Sequence, residues 1–580
     1  MVPAGSGAAS SCAKRTITIA DFPPGTLLAV GAILLAITKG RLQAVLSLAL
    51  PLISFYHLLQ FDVGTQTSLM LFSYELMPIR VDRLALVWGY IFHLAAFLSA
   101  LYALHVRDAL QHVSGAIYAG TAIGAVFAGD LITLFAYWEL TAVSSVFLIW
   151  ASRTESAYRA GMRYLIVQVG SGVILLSGIL LHVRDTGSIA FGHLGLSTTA
   201  TLLILIAFGI KCAFPFLHNW LQDAYPHSTP TGTVFLSAFT TKLAVYALVR
   251  GYAGTEILVY IGAAMTAFPV FFAVIENDLR RVLAYSLNNQ LGFMVVGVGV
   301  GTELALNGTA SHAFAHILYK ALLFMAMGAV MTRVGSAKAS DLGALYKSMP
   351  YTTFFCMIGA AAISAFPLFS GFVTKSLTMS AVADNHYDAV WFVMLFASAG
   401  VLHHSGIKIP YYGFFGPDRG LRCKEAPLNM LMAMGITAFF CVAIGVYPQP
   451  LYAILPYAVD YQPYTTGHVL TQMQLLCWAL LSFAILARKH LEPPEIPSII
   501  LDSDWIYRKA LPAVCMPIAR AMGTGRDSII TSGKAAVSGI LSVVERYYGR
   551  RGIFARTWLT SNSVLVVIIF LALYLLLYFQ

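Results

Sequence analysis

Charged residues are scarce in this sequence, and their scarcity indicates the class of protein. Asp, Glu, Lys and Arg make up 11% of the 580 residues, whereas hydrophobic residues make up 58%. A soluble domain carries about 25% charged residues. Together with a mean hydropathy of +0.75, this excludes an ordinary soluble protein. The sequence therefore predicts an all-α polytopic membrane protein with spans of about 20 residues each.

Cysteine is also sparse, and its placement excludes several kinds of site. The seven cysteines form no CxxC pair and no Cys/His pair at metal-ligand spacing. An iron–sulfur cluster, a zinc site and a disulfide framework are therefore not expected. The sequence also lacks a Walker motif, a nucleophile triad and a haem-attachment motif. We expect no metal, no cofactor and no catalytic site in this chain, which leaves open whether it serves a translocating oxidoreductase as a subunit.

Basic residues exceed acidic ones, giving a net charge of +10, but their distribution indicates a membrane rather than nucleic acid. Loops leaving odd-numbered predicted spans hold most Lys and Arg, including Arg280, Arg281 and Lys338. The other loops hold few, such as Arg184. Because basic loops stay in the cytoplasm, both termini are assigned to the outside. We expect the membrane to be the bacterial inner membrane.

Apolar runs predict about sixteen membrane spans. We place them at 25–38, 43–59, 83–103, 113–129, 131–150, 161–183, 200–220, 231–250, 256–274, 282–300, 311–333, 351–384, 388–412, 428–447, 468–487 and 563–579. Residues 66–82 alternate like a short hairpin or loop outside the membrane.

These spans group into six segments. They are 1–112 with the N-terminal helices and the extramembrane loop, 113–250 as a first repeat, 256–412 as a second repeat, 413–487 as C-terminal helices, 488–562 as a cytoplasmic or interfacial amphipathic segment, and 563–580 as the last span. The 488–562 segment is either a docking surface for a partner subunit or a solvated linker.

Two predicted spans are interrupted by proline. The seventh contains Ala-Phe-Pro-Phe around Pro215, and the twelfth contains Ala-Phe-Pro-Leu around Pro367. Proline removes a helix hydrogen bond, and such breaks persist in membranes where they line a cavity. Paired interrupted helices in corresponding halves mark the ion path of transporters. The repeated Ala-Phe-Pro motif predicts that the chain has two related halves, each with a broken helix.

Four lone charges lie inside apolar runs, where each costs about 2.5–3.5 kcal/mol on insertion scales. Glu139 comes nine residues after Asp130 and so lies about 13 Å deeper in the membrane. Lys211 directly precedes the first break. We expect the two to form a pair in which the carboxylate titrates and tunes the lysine. A purely structural Glu–Lys bridge is the alternative.

The other two lone charges are lysines. Lys242 lies about 12 Å from the presumed membrane edge at Arg250, and Lys375 follows the second break much as Lys211 precedes the first. We expect both to carry protons. The alternative, a lysine that reaches back to the interface, is weaker the deeper the residue lies.

A polar stripe occupies one helix between these lysines. His312, His316 and Lys320 are spaced i, i+4, i+8 and so share one face. Histidine titrates near pH 6.5, which favours a proton relay. A structural hydrogen-bonding role is the alternative, and a metal site is disfavoured because no third ligand lies nearby.

Several long motifs together resemble the antiporter-like subunits shared by respiratory complex I and the Mrp-type multisubunit cation/proton antiporters. They cover about residues 80–450 and read FAYWEL, KCAFPFLHNWLQDAYPHSTPT, NDLRRVLAYSLNNQLGF, HAFAHILYKALLF and SGFVTK. Within this family the chain is most similar to the D-type subunits of the Mrp antiporters, including CKEAPLNMLMAMG. Apart from Asp223, the loop LQDAYPHSTPT has no acid before its prolines, where many relatives carry one, and SGFVTKSL has no acid after its lysine.

The resemblance implies a fold of two inverted five-helix repeats and a proton path along the membrane midplane. It implies that the roles along this path fall on Glu139, Lys211, Lys242, His312, His316, Lys320 and Lys375. The loop after Lys211 supplies His218, Asp223 and His227 as candidate gating residues.

Three functions follow from the resemblance. The first is the proton-translocating subunit of a multisubunit Na+ or K+/proton antiporter. The second is the proton-pumping subunit of a complex I-like or hydrogenase-like redox complex, and the third is the membrane subunit of an inorganic-carbon uptake complex. Each implies other membrane subunits as partners, with protons, and in the first case Na+ or K+, as the transported ions. A structural scaffold is disfavoured because it would not need the buried charges.

Overall fold

Helices dominate the protein, and short polar side chains begin many of them. In a computed structural model, residues 22–489, 491, 493, 495–496, 500–548 and 560–579 are described. The side chains of Asp82, Asp108, Asp130, Thr154 and Asp278 each accept a hydrogen bond from a backbone N–H in the first turn of the following helix. These caps satisfy donors that a helix start leaves unpaired.

Two helices and a hairpin precede the main bundle. These elements are α1 (Thr26–Ile37), α2 (Gly40–Leu58), β1 (Gln66–Leu71) and β2 (Tyr74–Arg80). The strands pair antiparallel with a register shift between Thr67 and Leu69. A hairpin is therefore what residues 66–82 form.

The helices of the main bundle follow in chain order. They are α3 (Arg83–Tyr102), α4 (Ala109–Phe127), α5 (Leu131–Trp150), α6 (Glu155–Thr186), α7 (Thr199–Cys212), α8 (Asn219–His227), α9 (Pro230–Ala238), α10 (Thr240–Tyr252), α11 (Ile257–Ile275), α12 (Leu279–Val300), α13 (Glu303–Val334), α14 (Pro350–Ile363), α15 (Ser370–Asp384) and α16 (Asp388–Val401). A π-helical turn (Leu402–Ile407) leads into α17 (Lys408–Pro410), a second π-helical turn (Tyr411–Phe415), α18 (Leu428–Val446), α19 (Gln449–Ala453) and α20 (Thr466–Arg488).

Two compact units make up the chain, with the boundary between Ile500 and Leu501. The second contains a third π-helical turn (Ile506–Ala510), α21 (Leu511–Tyr548) and α22 (Thr560–Tyr578). In α21 almost all of the described side chains are exposed. The predicted 1–112 and 488–562 segments extend over residues outside the described ones, namely 1–21, 490, 492, 494, 497–499 and 549–559.

The protein is an integral membrane protein. Eleven helices in the described part of the chain are long and apolar enough to cross a membrane by themselves. The other five predicted spans fall on α1, α4, α12 and the pairs α7–α8 and α14–α15, which are shorter, broken or more polar. The total of sixteen spans stays a prediction.

Two sets of helices match in order and in length. Helices α4 and α11 each have 19 residues, and α6 and α13 each have 32. Asp130 caps α5 and forms a β-bridge to Ala190, while Asp278 caps α12 and forms a β-bridge to Lys338. The two predicted halves and the inverted relation between them stay predictions.

The breaks at the two prolines have the same backbone conformation. Ala213 and Phe216 have φ of 62° and 67°, and Ala365 and Leu368 have φ of 56° and 74°. In each case the first and fourth residues of the Ala-Phe-Pro-X motif are left-handed. Few residues other than glycine adopt this conformation, so the motif forces the same interruption in both places.

Candidate functional site

Lys211 is buried at the end of α7, where the first break begins. Its Nζ donates to the carbonyl oxygen of Trp138 at 2.5 Å and to Thr141 Oγ1 at 3.2 Å. It also lies 4.3 Å from the centroid of the Trp138 ring. The lysine is therefore bound to α5 through neutral groups and an aromatic face.

Glu139 lies on α5 next to Trp138, but its carboxylate faces α6. A Cβ added at Gly172 would stand 1.5 Å from Glu139 Oε1, so this glycine makes room for the carboxylate. Oε1 is buried and has no hydrogen-bond partner within the protein. Among the described residues, no ion pair within 4.0 Å joins Glu139 to Lys211. The predicted partners are thus on neighbouring helices without a direct bond.

The segment after the first break holds the three candidate gating residues. Asp223 is buried and receives two hydrogen bonds from Arg163 of α6, at 2.6 and 3.0 Å. His227 Nδ1 lies 2.7 Å from the carbonyl oxygen of Asp223. His218 packs its ring 4.6 Å from that of Phe268. Asp223 therefore ties α8 to α6, a contact that no spacing in the sequence indicates.

Lys242 lies just after the interruption between α9 and α10. Its Nζ donates to the carbonyl oxygen of Ser237 at 2.6 Å, and the side chain is fully buried. Trp88 holds the same residue from α3, since its indole N–H donates to the carbonyl oxygen of Lys242 at 3.0 Å. Lys242, like Lys211, is thus a buried lysine whose side chain donates to a backbone carbonyl beside a helix interruption.

The stripe on α13 connects two neighbouring helices. Lys320 Nζ donates to Ser286 Oγ of α12 at 2.9 Å. His312 lies between Thr374 Oγ1, 3.2 Å from Nδ1, and Tyr319 OH, 3.3 Å from Nε2. The rings of His312 and His316 are stacked at 6.2 Å. Since Thr374 directly precedes Lys375, the stripe leads to the second break.

Lys375 lies on α15 beside the second break. Its Nζ donates to the carbonyl oxygen of Ile363, the last residue of α14, at 3.1 Å, and lies 5.0 Å from the Phe293 ring. A cavity of about 260 Å³ opens beside it. This cavity is lined by polar and apolar side chains, among them Ser376, Ser380, Trp391, His468 and Gln472.

Several buried polar side chains near this row have no hydrogen-bond partner within the protein. They are Gln168, Gln222, Asn288 and His316. Buried polar groups of this kind are normally hydrogen-bonded to internal water. Among the described residues, no two of the seven predicted path residues hydrogen-bond to each other directly. The arrangement suits proton transfer through water and intervening hydroxyl groups.

Sequence reasoning missed the groups that lie between the charges. Ser286, Thr374 and Gly172 carry no motif that distinguishes them from other small or hydroxyl residues in apolar helices. These three residues matter because neighbouring helices place Lys320, His312 and Glu139 against them.

Residues 128–402 match a protein-family model described as NADH:quinone oxidoreductase/Mrp antiporter, TM. Hydrogenase-4 component B of Escherichia coli is 27% identical over 425 residues, which are 64% of this chain and 63% of the relative. The D-type subunit of the Na+/H+ antiporter of Alkalihalophilus pseudofirmus is 27% identical over 318 residues, 51% of this chain and 64% of the relative. The chain thus spans less than two thirds of either relative.

A solved structure of the Mrp complex from Dietzia sp. DQ12-45-1b contains a chain with the same fold. The TM-score is 0.65 at 21% sequence identity, over 78% of this chain and 99% of the other. At this level of identity the likeness concerns the fold.

Proposed function

Through residues 128–402 the chain belongs to the NADH:quinone oxidoreductase/Mrp antiporter family, and on that premise we propose that it is the proton-translocating subunit of a multisubunit antiporter that exchanges Na+ or K+ for protons. The residues proposed to carry the protons are Glu139, Lys211, Lys242, His312, His316, Lys320 and Lys375. Its partners are other membrane subunits.

One observation supports the proposal: four buried lysines donate hydrogen bonds to uncharged oxygen atoms. Lys211, Lys242 and Lys375 each donate to a backbone carbonyl, and Lys320 donates to a serine hydroxyl. Burial disfavours a charged amine, and no carboxylate bonds directly to any of these four among the described residues. Each can therefore alternate between charged and neutral forms, which a proton carrier requires.

The proton moves along the row of helices. It enters near Lys211 and Lys242, passes the stripe on α13, and reaches Lys375 through the contact between His312 and Thr374. The cavity beside Lys375 lets the proton leave.

Glu139 gates the first step by moving between Gly172 and Lys211. Against Gly172 the carboxylate makes no hydrogen bond to the amine, whereas direct contact with Lys211 would further stabilise the ammonium form. A change of one pKa unit corresponds to about 1.4 kcal/mol, so a single ion pair can switch the occupancy of the lysine.

The test uses the complex purified with its native partners and rebuilt in vesicles. We expect Lys211→Ala and Glu139→Ala to lower Na+- or K+-driven proton movement at least about tenfold, because each removes a group that titrates in the path. A pH-sensitive dye inside the vesicles reports the movement. Lys39→Ala changes an exposed lysine and serves as the control. Undiminished transport in both path variants would disprove the proposal.

A redox complex is the second candidate, favoured by the similarity to Hydrogenase-4 component B. The same row of lysines would serve it, and the partners decide between the two. Mass spectrometry of the native complex would show small antiporter subunits in the first case and hydrogenase or quinone-site subunits in the second. In either complex we propose that the basic loops face the cytoplasm of a bacterial inner membrane and that both termini lie outside.

A further inference from the structure

A second hydrogen-bonded row leaves the stripe on α13 at Lys320. Ser286 Oγ, which accepts from Lys320, also accepts from Ser405 Oγ at 2.7 Å. His404 Nδ1 lies 2.8 Å from Ser405 Oγ, and both residues are fully buried. Two serine hydroxyls therefore connect the lysine of the stripe to a histidine on another helix.

The histidine and serine lie in the π-helical turn Leu402–Ile407. Such turns are rare and occur frequently at functional sites. Lys408 follows at the start of α17, four residues after His404. Residues four apart on a helix are neighbours on its surface, so His404 and Lys408 lie on the same side of this turn, with no direct hydrogen bond between them among the described residues.

Lys408 is fully buried and, unlike the four lysines of the proposed path, forms a direct ion pair with a carboxylate. Its Nζ lies 2.6 Å from Glu495 Oε1, whose side chain is 7% exposed, and donates to the carbonyl oxygen of Val274 at 2.6 Å. Taking an ion pair out of water costs several kcal/mol. Glu155 and Arg159, by contrast, form an ion pair whose side chains are 71% and 70% exposed.

The charged surroundings of this pair lie at the end of α11. Glu276 follows α11, has a side chain that is 5% exposed, and lies 3.6 Å from Arg281. Burial raises the pKa of Glu495, although Lys408 acts in the opposite direction, and burial likewise raises the pKa of Glu276. Both carboxyls thus exchange protons closer to neutral pH than exposed ones.

The pair and the cavity beside Lys375 belong to opposite ends of the bundle. The bridge between Asp278 and Lys338 places the start of α12 and the segment before α14 at one end. Helices α14 and α15 then cross the bundle, so Asp384 reaches the other end. Val274 lies near the first end, and the cavity residues Ser380 and Ala383 lie near the second.

We propose that Ser286, Ser405, His404, Lys408 and Glu495 form a proton branch that joins Lys320 to the end of the bundle where α12 begins. When protons leave Lys320 through the branch, the Lys408 ammonium gives a proton to the Glu495 carboxylate, so that an N–H bond breaks and an O–H bond forms. The neutral amine then takes the proton from one ring nitrogen of His404, while Nδ1 of His404 gains a proton that the Ser405 and Ser286 hydroxyls pass on from the Lys320 ammonium. Glu495 releases its own proton to water, so each group returns to its starting form and Lys320 has lost one proton. The branch rests on the proposed function, because it supplies or drains the same row of lysines.

Two conservative variants test the branch in vesicles containing the assembled complex. Ser405→Ala removes one oxygen atom, and Glu495→Gln removes the proton acceptor while keeping the shape. We expect each to slow dye-reported proton movement, driven by a pulse of Na+ or K+, at least about tenfold, and Glu495→Asp to retain part of it. The matched controls are Ser144→Ala, at a buried serine bonded to its own helix, and Glu155→Gln, at the exposed pair. Transport at the unmodified rate in both branch variants would overturn the branch.

A structural role for the ion pair gives a different pattern. If the pair only holds the chain near Glu495 in place, Lys408→Gln and Glu495→Gln each lower the melting temperature, and the double variant, which leaves no unpaired charge, regains transport. The branch requires the double variant to fold and remain slow.

Lys242→Ala is measured in parallel. If it blocks transport while the branch variants do not, the branch is wrong and the proposed function stands. If Lys242→Ala transports normally, the proposed function fails, and the branch fails with it.

Discussion

The two broken helices share a backbone but differ in what surrounds their lysines. Ala213 and Ala365 take the same left-handed conformation at the start of each break. Lys211 is enclosed against Trp138, with Glu139 on the same neighbouring helix, whereas Lys375 contacts one carbonyl and borders a cavity of about 260 Å³. The same interruption thus lies beside a closed site at Lys211 and an open one at Lys375.

Exchange of each lysine for glutamate should separate the two sites most strongly. Lys211→Glu places a carboxylate against a carbonyl oxygen in an enclosed site, which costs about 3–5 kcal/mol, and transport should fall at least about tenfold. Lys375→Glu leaves the acid beside a cavity that can hydrate it, and transport should stay within about fivefold of the unmodified rate. Proton movement and melting temperature in the assembled complex measure both effects, and equal losses would refute the distinction between closed and open.

A smaller effect is expected from Gly172→Ala, which acts on the closed site alone. The new Cβ would stand 1.5 Å from Glu139 Oε1, so the flexible carboxylate must move, and we expect proton movement to change several-fold. The melting temperature should change little, since only the end of one side chain shifts. Gly170→Ala on the same helix meets no atom within 4 Å and is the matched control. A response equal to that of Gly170→Ala would contradict the gate.

The smallest effects should come from the breaks themselves. Ala213→Gly and Ala365→Gly relieve a left-handed conformation that an L residue adopts at a cost, less the entropy of glycine. We expect each to stabilise by about 0.5–1 kcal/mol, and by similar amounts, in thermal unfolding. Ala443→Gly in the regular helix α18 should instead destabilise by about 1 kcal/mol. Opposite signs at the two breaks would show that their equivalence is superficial.

Much of the fold could be predicted because a membrane helix can be recognised from its own run of apolar residues, without knowledge of its neighbours. Every predicted span lies on a helix or a pair of helices, and two prolines located the breaks after α7 and α14. No proline marks the interruption between α9 and α10, which lies inside the predicted span 231–250. The caps Asp130 and Asp278 lie where a polar residue precedes an apolar run. The number of helices that cross the membrane was harder to predict from the sequence, since α7 and α14 are short and α12 carries many polar residues.

The site was less predictable, because its contacts depend on which helices are neighbours. Glu139 and Lys211 stand out as lone charges, but nothing in the sequence reveals that the carboxylate of Glu139 occupies the space left by Gly172. The sequence did contain one indication of the branch, since His404 and Lys408 repeat the four-residue spacing of His316 and Lys320. Their partner Glu495 lies beyond α20 and could not be paired with Lys408 without the fold.

The burial of α9 and α10 also bears on how the chain is made. Residues 231–249 of these helices are all buried, and α9 packs against α13, which ends at Val334. At about 5–20 residues per second, the roughly 80 residues between them take several seconds to synthesise. During that interval Lys242 has been inserted but lacks its final neighbours. The nascent bundle therefore needs the insertion machinery, or earlier helices such as α3, to shield this lysine from lipid until α13 arrives.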